Sequence, residues 1–154
     1  MAVLAKEAEY NVEFLEDQDT GIVIVSLRPG DLLLESIAEI ARRLEIHSGV
    51  VMSGIGSLTR ARIHTVSSNQ YPPNNEFIDL AGPLEVVQFG GVIASYEPHI
   101  HISLWDHEKR FHGGHLEEGC EILALSEFSI HRLGRLRLGR HAIDPSGVMF
   151  LGGE

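Results

Sequence analysis

Two spacings of apolar residues run through the chain, and they predict one helix among many strands. In "DLLLESIAEIARRLEIH" (31–47), Leu33, Ile37, Ile40 and Leu44 recur at helical spacing, an apolar stripe for a sheet to cover. Asp31 is the expected N-cap, Glu35 lies near the positive end of the helix dipole, and Arg42 and Arg43 lie near its negative end. Leu34 stands where a capping box would need an acid. Elsewhere the pattern is that of strands. "GIVIVSLRPGD" is β-branched and stops at Pro29-Gly30. "GVVMSGIGS" is a buried run ending in glycines, and "TRARIHTVS" alternates in part. "PLEVVQFGGVIAS" (83–95) is strand-like, with Gly90-Gly91 predicting a bulge or sharp bend. "HIHISLW" alternates cleanly, "CEILALSEFSI" suits a strand better than a helix, and "VMFL" is a last short strand. "YPPNNE" (71–76) is expected to be a loop. The prediction is a single compact α+β domain over residues 1–154, a strand-rich mixed or antiparallel sheet packed against one main helix.

At 154 residues such a domain removes roughly 70% of its surface from water. The formal charge of −10 argues against direct nucleic-acid binding, which rests on Lys and Arg meeting phosphates. One stretch runs the other way: "HRLGRLRLGRH" (131–141) holds Arg132, Arg135, Arg137 and Arg140 and no acid. Arg135 and Arg137 would share a strand face, where an anion could meet them. The more ordinary role for such arginines is pairing with acids of the same protein or across a subunit interface. Cys120, the one cysteine, has no partner for an internal disulfide and lies in an apolar run, which suits a small buried side chain. No apolar run approaches the ~20 residues that span a bilayer. The opening "MAVLAKEAEY" is not patterned as a signal peptide, so a cytoplasmic protein is expected.

The chemistry concentrates in "EPHIHISLWDHEKRFHGGHL" (97–116), which holds His99, His101, His107, His112 and His115. Alternate residues of a strand point the same way, ~6.5–7 Å apart, so His99 and His101 project from one face with Ser103. Two imidazoles at that separation can reach one metal ion at ~2.0–2.1 Å, given a third ligand from elsewhere. "FHGGHL" supplies candidates, because the paired glycines permit a tight turn that swings His112 or His115 toward the pair. The competing reading is that these histidines fill turns and bond to backbone or carboxylates. "GIGSLT" lacks the third glycine and the helix of a dinucleotide loop, and His107-Glu108 lacks the second His of a zincin motif.

The order of these segments resembles the plants and prokaryotes conserved domain (PPC domain) over roughly residues 21–151. "RPGDLLLESIAEIARRLEIHSGVVMSGIGSL" is similar to its helix and following strand, and "HIHISLWDHEKRFHGGHLEEGCEI" to its H-x-H and G-G-H-L block. "LGRHAIDPSGVMFL" is similar to its closing segment, with Arg140, Asp144, Gly147 and Leu151 at matching positions. The resemblance implies an α+β homotrimer in which His99, His101 and His115 match the family's clustered histidines, a metal site in some members. Prokaryotic members are single domains that often carry a provisional DNA-binding label. Plant members add AT-hooks and contact partners through G-R-F-E-I-L. Here the matching "GPLEVV" (82–87) keeps Gly82 and Glu85 but has Pro83 for Arg, and the AT-hook core is absent.

The combined expectation is a cytoplasmic homotrimer with a divalent metal, zinc or similar, on His99, His101 and His115, and with His107 and His112 outside the ligand set. Leu116 can anchor His115 to the core, whereas His112 adjoins the charged "DHEKR" turn. Acid should release the metal near pH 6, because ligand imidazoles must be neutral. Three ligands leave a position open for hydrolysis or for a small-molecule ligand held without turnover. The alternative is a DNA-associated regulatory or protein-interaction module.

Overall fold

The computed structural model describes residues 12–154. The opening segment read against a signal peptide lies outside them. The strands are β1 (Glu13–Asp17), β2 (Ile22–Leu27), β3 (Ser48–Val66), β4 (Asn75–Ala94), β5 (Glu97–Asp106), β6 (Phe111–Leu116), β7 (Glu121–Arg132), β8 (Leu138–Ala142) and β9 (Met149–Gly153). The helix is α1 (Leu33–Arg43). Seven strands form one sheet in the order β1-β2-β7-β3-β4-β5-β6, and β8 pairs with β9. The described strand pairings are antiparallel. The end strand β6 also pairs with β3, so β3, β4, β5 and β6 close into a ring. That closure leaves β6 without a free edge on the side where β3 meets it.

Alternation decides which side of the sheet is the core. Val23, Val25 and Leu27 of β2 and Ile100, Ile102 and Leu104 of β5 are buried on the side that α1 covers with Leu33, Ile37 and Ile40. Leu44 falls one residue past the helix and packs on the core only partly buried. Asp31 is not the N-cap. Leu32 holds that position without a side-chain cap, while the Asp31 carboxylate accepts the Arg28 N–H at 2.8 Å and so closes the preceding turn.

The glycine motifs read differently in three dimensions. "GVVMSGIGS" and "TRARIHTVS" are one long strand, β3, in which the glycines accompany register shifts rather than an end. Gly90 and Gly91 pair regularly with His101 and Ile100 of β5, but on the β3 side the expected bulge is present: Gly91 pairs with Val51 and Phe89 with Gly54, so Met52 and Ser53 stand opposite Gly90. The H-G-G-H segment is no tight turn but strand β6, with Gly113 opposite Ser103 and Gly114 opposite Ile102. The reversal occurs earlier, at 107–110, where Lys109 adopts φ 63°. Arg135 and Arg137 share no strand face, because both lie in the connection between β7 and β8. Residues 75 and 76 of the expected loop belong to β4.

Candidate metal centre

Strand β5 turns Ile100, Ile102 and Leu104 into the core, which obliges His99, His101 and Ser103 to face the other way. Strand β6 runs antiparallel beside it and sets His115 directly opposite His101. The three imidazoles converge. Ring centres lie 4.6 Å apart for His99 and His115, 5.5 Å for His101 and His115, and 5.5 Å for His99 and His101. Their ligand nitrogens all lie within 4.8 Å of one another. Tetrahedral ligation at ~2.1 Å would place nitrogens ~3.4 Å apart, a gap that small side-chain rotations close. A cavity of about 790 Å³ opens beside His101, bounded by Gln88, Gly90, Ser103 and Gly113.

Electrostatics suit the same chemistry. Burial, the neighbouring His99 and His64, and then His101 push the His115 pKa down to about 4, with Glu117 opposing. Burial, then the charge of Arg140, then His101 and His64 lower that of His99. Both rings are therefore neutral at pH 7, the form in which imidazole donates to a metal. The donor set fits a divalent ion of zinc type.

A pH dependence follows. An unfolded histidine protonates near 6.5, whereas folded His115 stays neutral down to about 4. Between those values the unfolded chain binds more protons, so metal-free stability falls as pH drops through that window, and the His115 contribution levels below it. The carboxylates held low by hydrogen bonds, Asp17, Asp106, Asp144 and Glu154, contribute only below the ordinary carboxylate range. Urea midpoints of metal-free protein should decline from pH 7 to pH 5, and His115→Ala should flatten that decline. A midpoint unchanged from pH 7 to pH 5 would contradict the account. Metal release should follow the same window, extending lower than the pH 6 expected for unperturbed histidines.

His112 and His115 are three apart on β6, so they take opposite faces. His112 Nε2 bonds Asp106 Oδ2 at 2.9 Å, away from the cluster. Asp106 Oδ1 also accepts the Glu108 and Arg110 N–H groups at 2.9 Å each, and Oδ2 accepts Arg110 Nε at 2.8 Å. These donors, His112 foremost, hold the carboxyl well below the usual range and fix the turn that brings β6 back along β5. His107 is exposed in that turn.

Two residues near the cluster were not found from sequence. His64 of β3 pairs with His115, and the two rings stack with centres 4.5 Å apart. Its Nδ1 lies 2.5 Å from Glu117 Oε1, and His64, His115 and Glu117 form a second potential ligand group. Glu117 follows His115 at i+2, a spacing legible by the parity that paired His99 with His101. His64 is distant in the chain and carries no local signal. Cys120 is fully buried, its thiol pKa raised to about 11 by burial first, and it serves as a packed core side chain.

The model of the Plants and Prokaryotes Conserved (PCC) domain matches residues 15–133. The chain belongs to that family. Among solved structures of similar fold, a metal-containing protein from Archaeoglobus fulgidus is 26% identical, with a TM-score of 0.71 over 93% of this chain and 98% of that one. A protein from Bacteroides thetaiotaomicron, provisionally named as DNA-binding, has a TM-score of 0.80 over 92% of this chain and 97% of that one. At 18% identity that likeness is one of fold. The bifunctional protein GlmU of a Synechococcus strain is 26% identical over 125 residues, 81% of this chain and 19% of the relative. The PCC chain thus spans about a fifth of that curated relative's length.

Proposed function

We propose that this PCC-domain protein is a homotrimeric metal-binding protein in which His99, His101 and His115 hold one divalent ion, zinc or its like. The observation that carries the reading is the convergence of three imidazoles, from two paired strands, to within 4.8 Å on one face of the sheet. The metal-containing relative from Archaeoglobus fulgidus supports it. An ion held there would supply Lewis acidity and, with three protein ligands, an open position for a small-molecule ligand or a hydrolytic substrate. The neighbouring pair, His64 and Glu117, stands behind His115 and steadies that ring by stacking.

The trimer rests on family likeness and on exposed apolar side chains that a partner copy would cover. Leu15, Ile24, Met52, Ile55 and Leu125 point away from the core on β1, β2, β3 and β7. Native mass spectrometry of protein purified with zinc should show three chains and about three zinc ions. A metal-free trimer would refute the metal reading, and a monomer the assembly. A cytoplasmic location belongs to the same reading, supported by the single cysteine, which leaves no disulfide within the chain. No helix among the described residues is long and apolar enough to cross a membrane.

A DNA-associated role is the second reading, favoured by the name of the Bacteroides protein. The charge of −10 weighs against direct contact with duplex DNA. So does the dispersal of the arginine stretch, in which Arg132 is bound to Glu16 at 2.7 Å.

A further inference from the structure

Strand register maps the outward face of the sheet beside the triad. Gly90 of β4 stands opposite His101, which stands opposite His115 of β6. One row along, Gln88 stands opposite Ser103, and Ser103 opposite Gly113. One row the other way, Val50 of β3 stands opposite Val92, and Val92 opposite His99. Phe89, Ile93 and Ile102, which alternate with these positions, are buried, so parity turns Gln88, Gly90, Val92, His101 and Ser103 outward together. The cavity of about 790 Å³ lies on these rows, and its lining takes His101 from the triad. Gly90 and Gly113 give it a floor without side chains.

Charge is what this cavity lacks. Charged residues make up 22% of the chain, yet no Asp, Glu, Lys or Arg lines it. An ion entering such a lining leaves water without a side-chain counter-charge, which is costly. The polar side chains it does offer are the Gln88 amide, the Ser103 hydroxyl and His101. Within the described residues neither the amide nor the hydroxyl is taken up by a hydrogen bond. Each can both donate and accept, and a primary amide carries the same complementary pair of groups.

We propose that this groove across β4, β5 and β6 binds a small uncharged molecule through an amide group, which pairs with the Gln88 amide and the Ser103 hydroxyl. The apolar remainder of the molecule lies over Gly90 toward Val50 and Val92. The inference rests on the metal reading for what the groove serves, because His101 belongs to both, and it deepens that reading by naming the class of ligand.

Benzamide, benzoate and benzamidine have nearly the same shape and are respectively neutral, anionic and cationic at neutral pH. Titrated by calorimetry into protein purified with zinc, benzamide should bind at least about fivefold more tightly than either charged probe. Gln88→Glu keeps the shape of an exposed side chain and adds a negative charge, so benzamidine should become the best-bound of the three. Ser103→Ala should weaken benzamide roughly fivefold, with zinc content by mass spectrometry at the wild-type level. Preference of wild type for either charged probe would overturn the proposal, benzoate by showing that the charge of the ion selects the ligand. So would the absence of benzamide binding at millimolar concentration, or a benzamide affinity unchanged in both variants. If wild type holds no zinc, the metal reading falls by itself, and the same three titrations still decide the groove.

Discussion

Replacing His115 by alanine should weaken metal binding more than any other single change in the H-G-G-H segment. His115 faces His101 across the β5–β6 pair and lies 4.6 Å, ring centre to ring centre, from His99. Loss of a group that merely orients a ligand already costs ~10–100-fold in metal affinity, so removal of a ligand itself should cost at least as much. His112→Ala should leave affinity within about threefold, because its ring lies on the opposite face of β6. Its effect should fall on the fold instead. Asp106, only 4% exposed at its side chain, would lose the His112 bond and rely on the Arg110 and backbone donors. Metal content after dialysis, set beside the melting temperature of each metal-free variant, separates the two effects. Equal metal loss in both variants would remove the special status of His115.

The same measurement on His99→Ala and His64→Ala distinguishes the two overlapping ligand groups. If the ion sits among His99, His101 and His115, the first variant should release it and the second should retain most of it. The reverse result would place the ion against His64 and Glu117. The short His64–Glu117 contact argues for the first outcome, since that carboxylate already has a partner.

Much of this arrangement was legible along the chain, and the limits have physical causes. A period of two fixes the shared face of His99 and His101, because burying Ile100 and Ile102 leaves no alternative. The helix was legible for a similar reason: Leu33, Ile37 and Ile40 have one side to bury. Its cap was not, since Asp31 had a competing use in the turn at Arg28. The glycines of H-G-G-H misled because sequence cannot distinguish a glycine that bends the chain from one that lets two backbones approach. Gly114 is of the second kind, its absent Cβ leaving room for the His64 carbonyl. His64 itself depends on the ring closure of β3 with β6, a long-range pairing with no local trace. Parity within β6 would have separated His112 from His115 at once, had H-G-G-H been read as a strand rather than a turn.

Gly91→Ala should be among the most damaging small substitutions in the protein, through the β5 backbone rather than through any ligand. A Cβ on Gly91 would lie 2.0 Å from the His99 carbonyl oxygen and 3.0 Å from the Ile100 Cα, both of them main-chain atoms. No rotamer relieves a clash with backbone, so β4 and β5 must separate where Gly91 pairs with Ile100. Ile100 is fully buried beneath that point, and the shift would loosen its packing as well. Overpacking ordinarily costs ~1–3 kcal/mol, and a site without a flexible neighbour belongs at the upper end, about 3 kcal/mol. The displacement falls on the residue carrying one of the proposed ligands, so metal affinity should decline together with stability. Gly134→Ala is the control: a Cβ there would meet nothing within 4 Å, and its effect should stay within about 0.5 kcal/mol. Urea denaturation of the metal-free variants reads the stability difference as a change in midpoint at constant slope. A Gly91→Ala midpoint equal to that of Gly134→Ala would mean that β5 yields freely at His99, and a strand that yields there could not hold His99 and His101 in place for a metal.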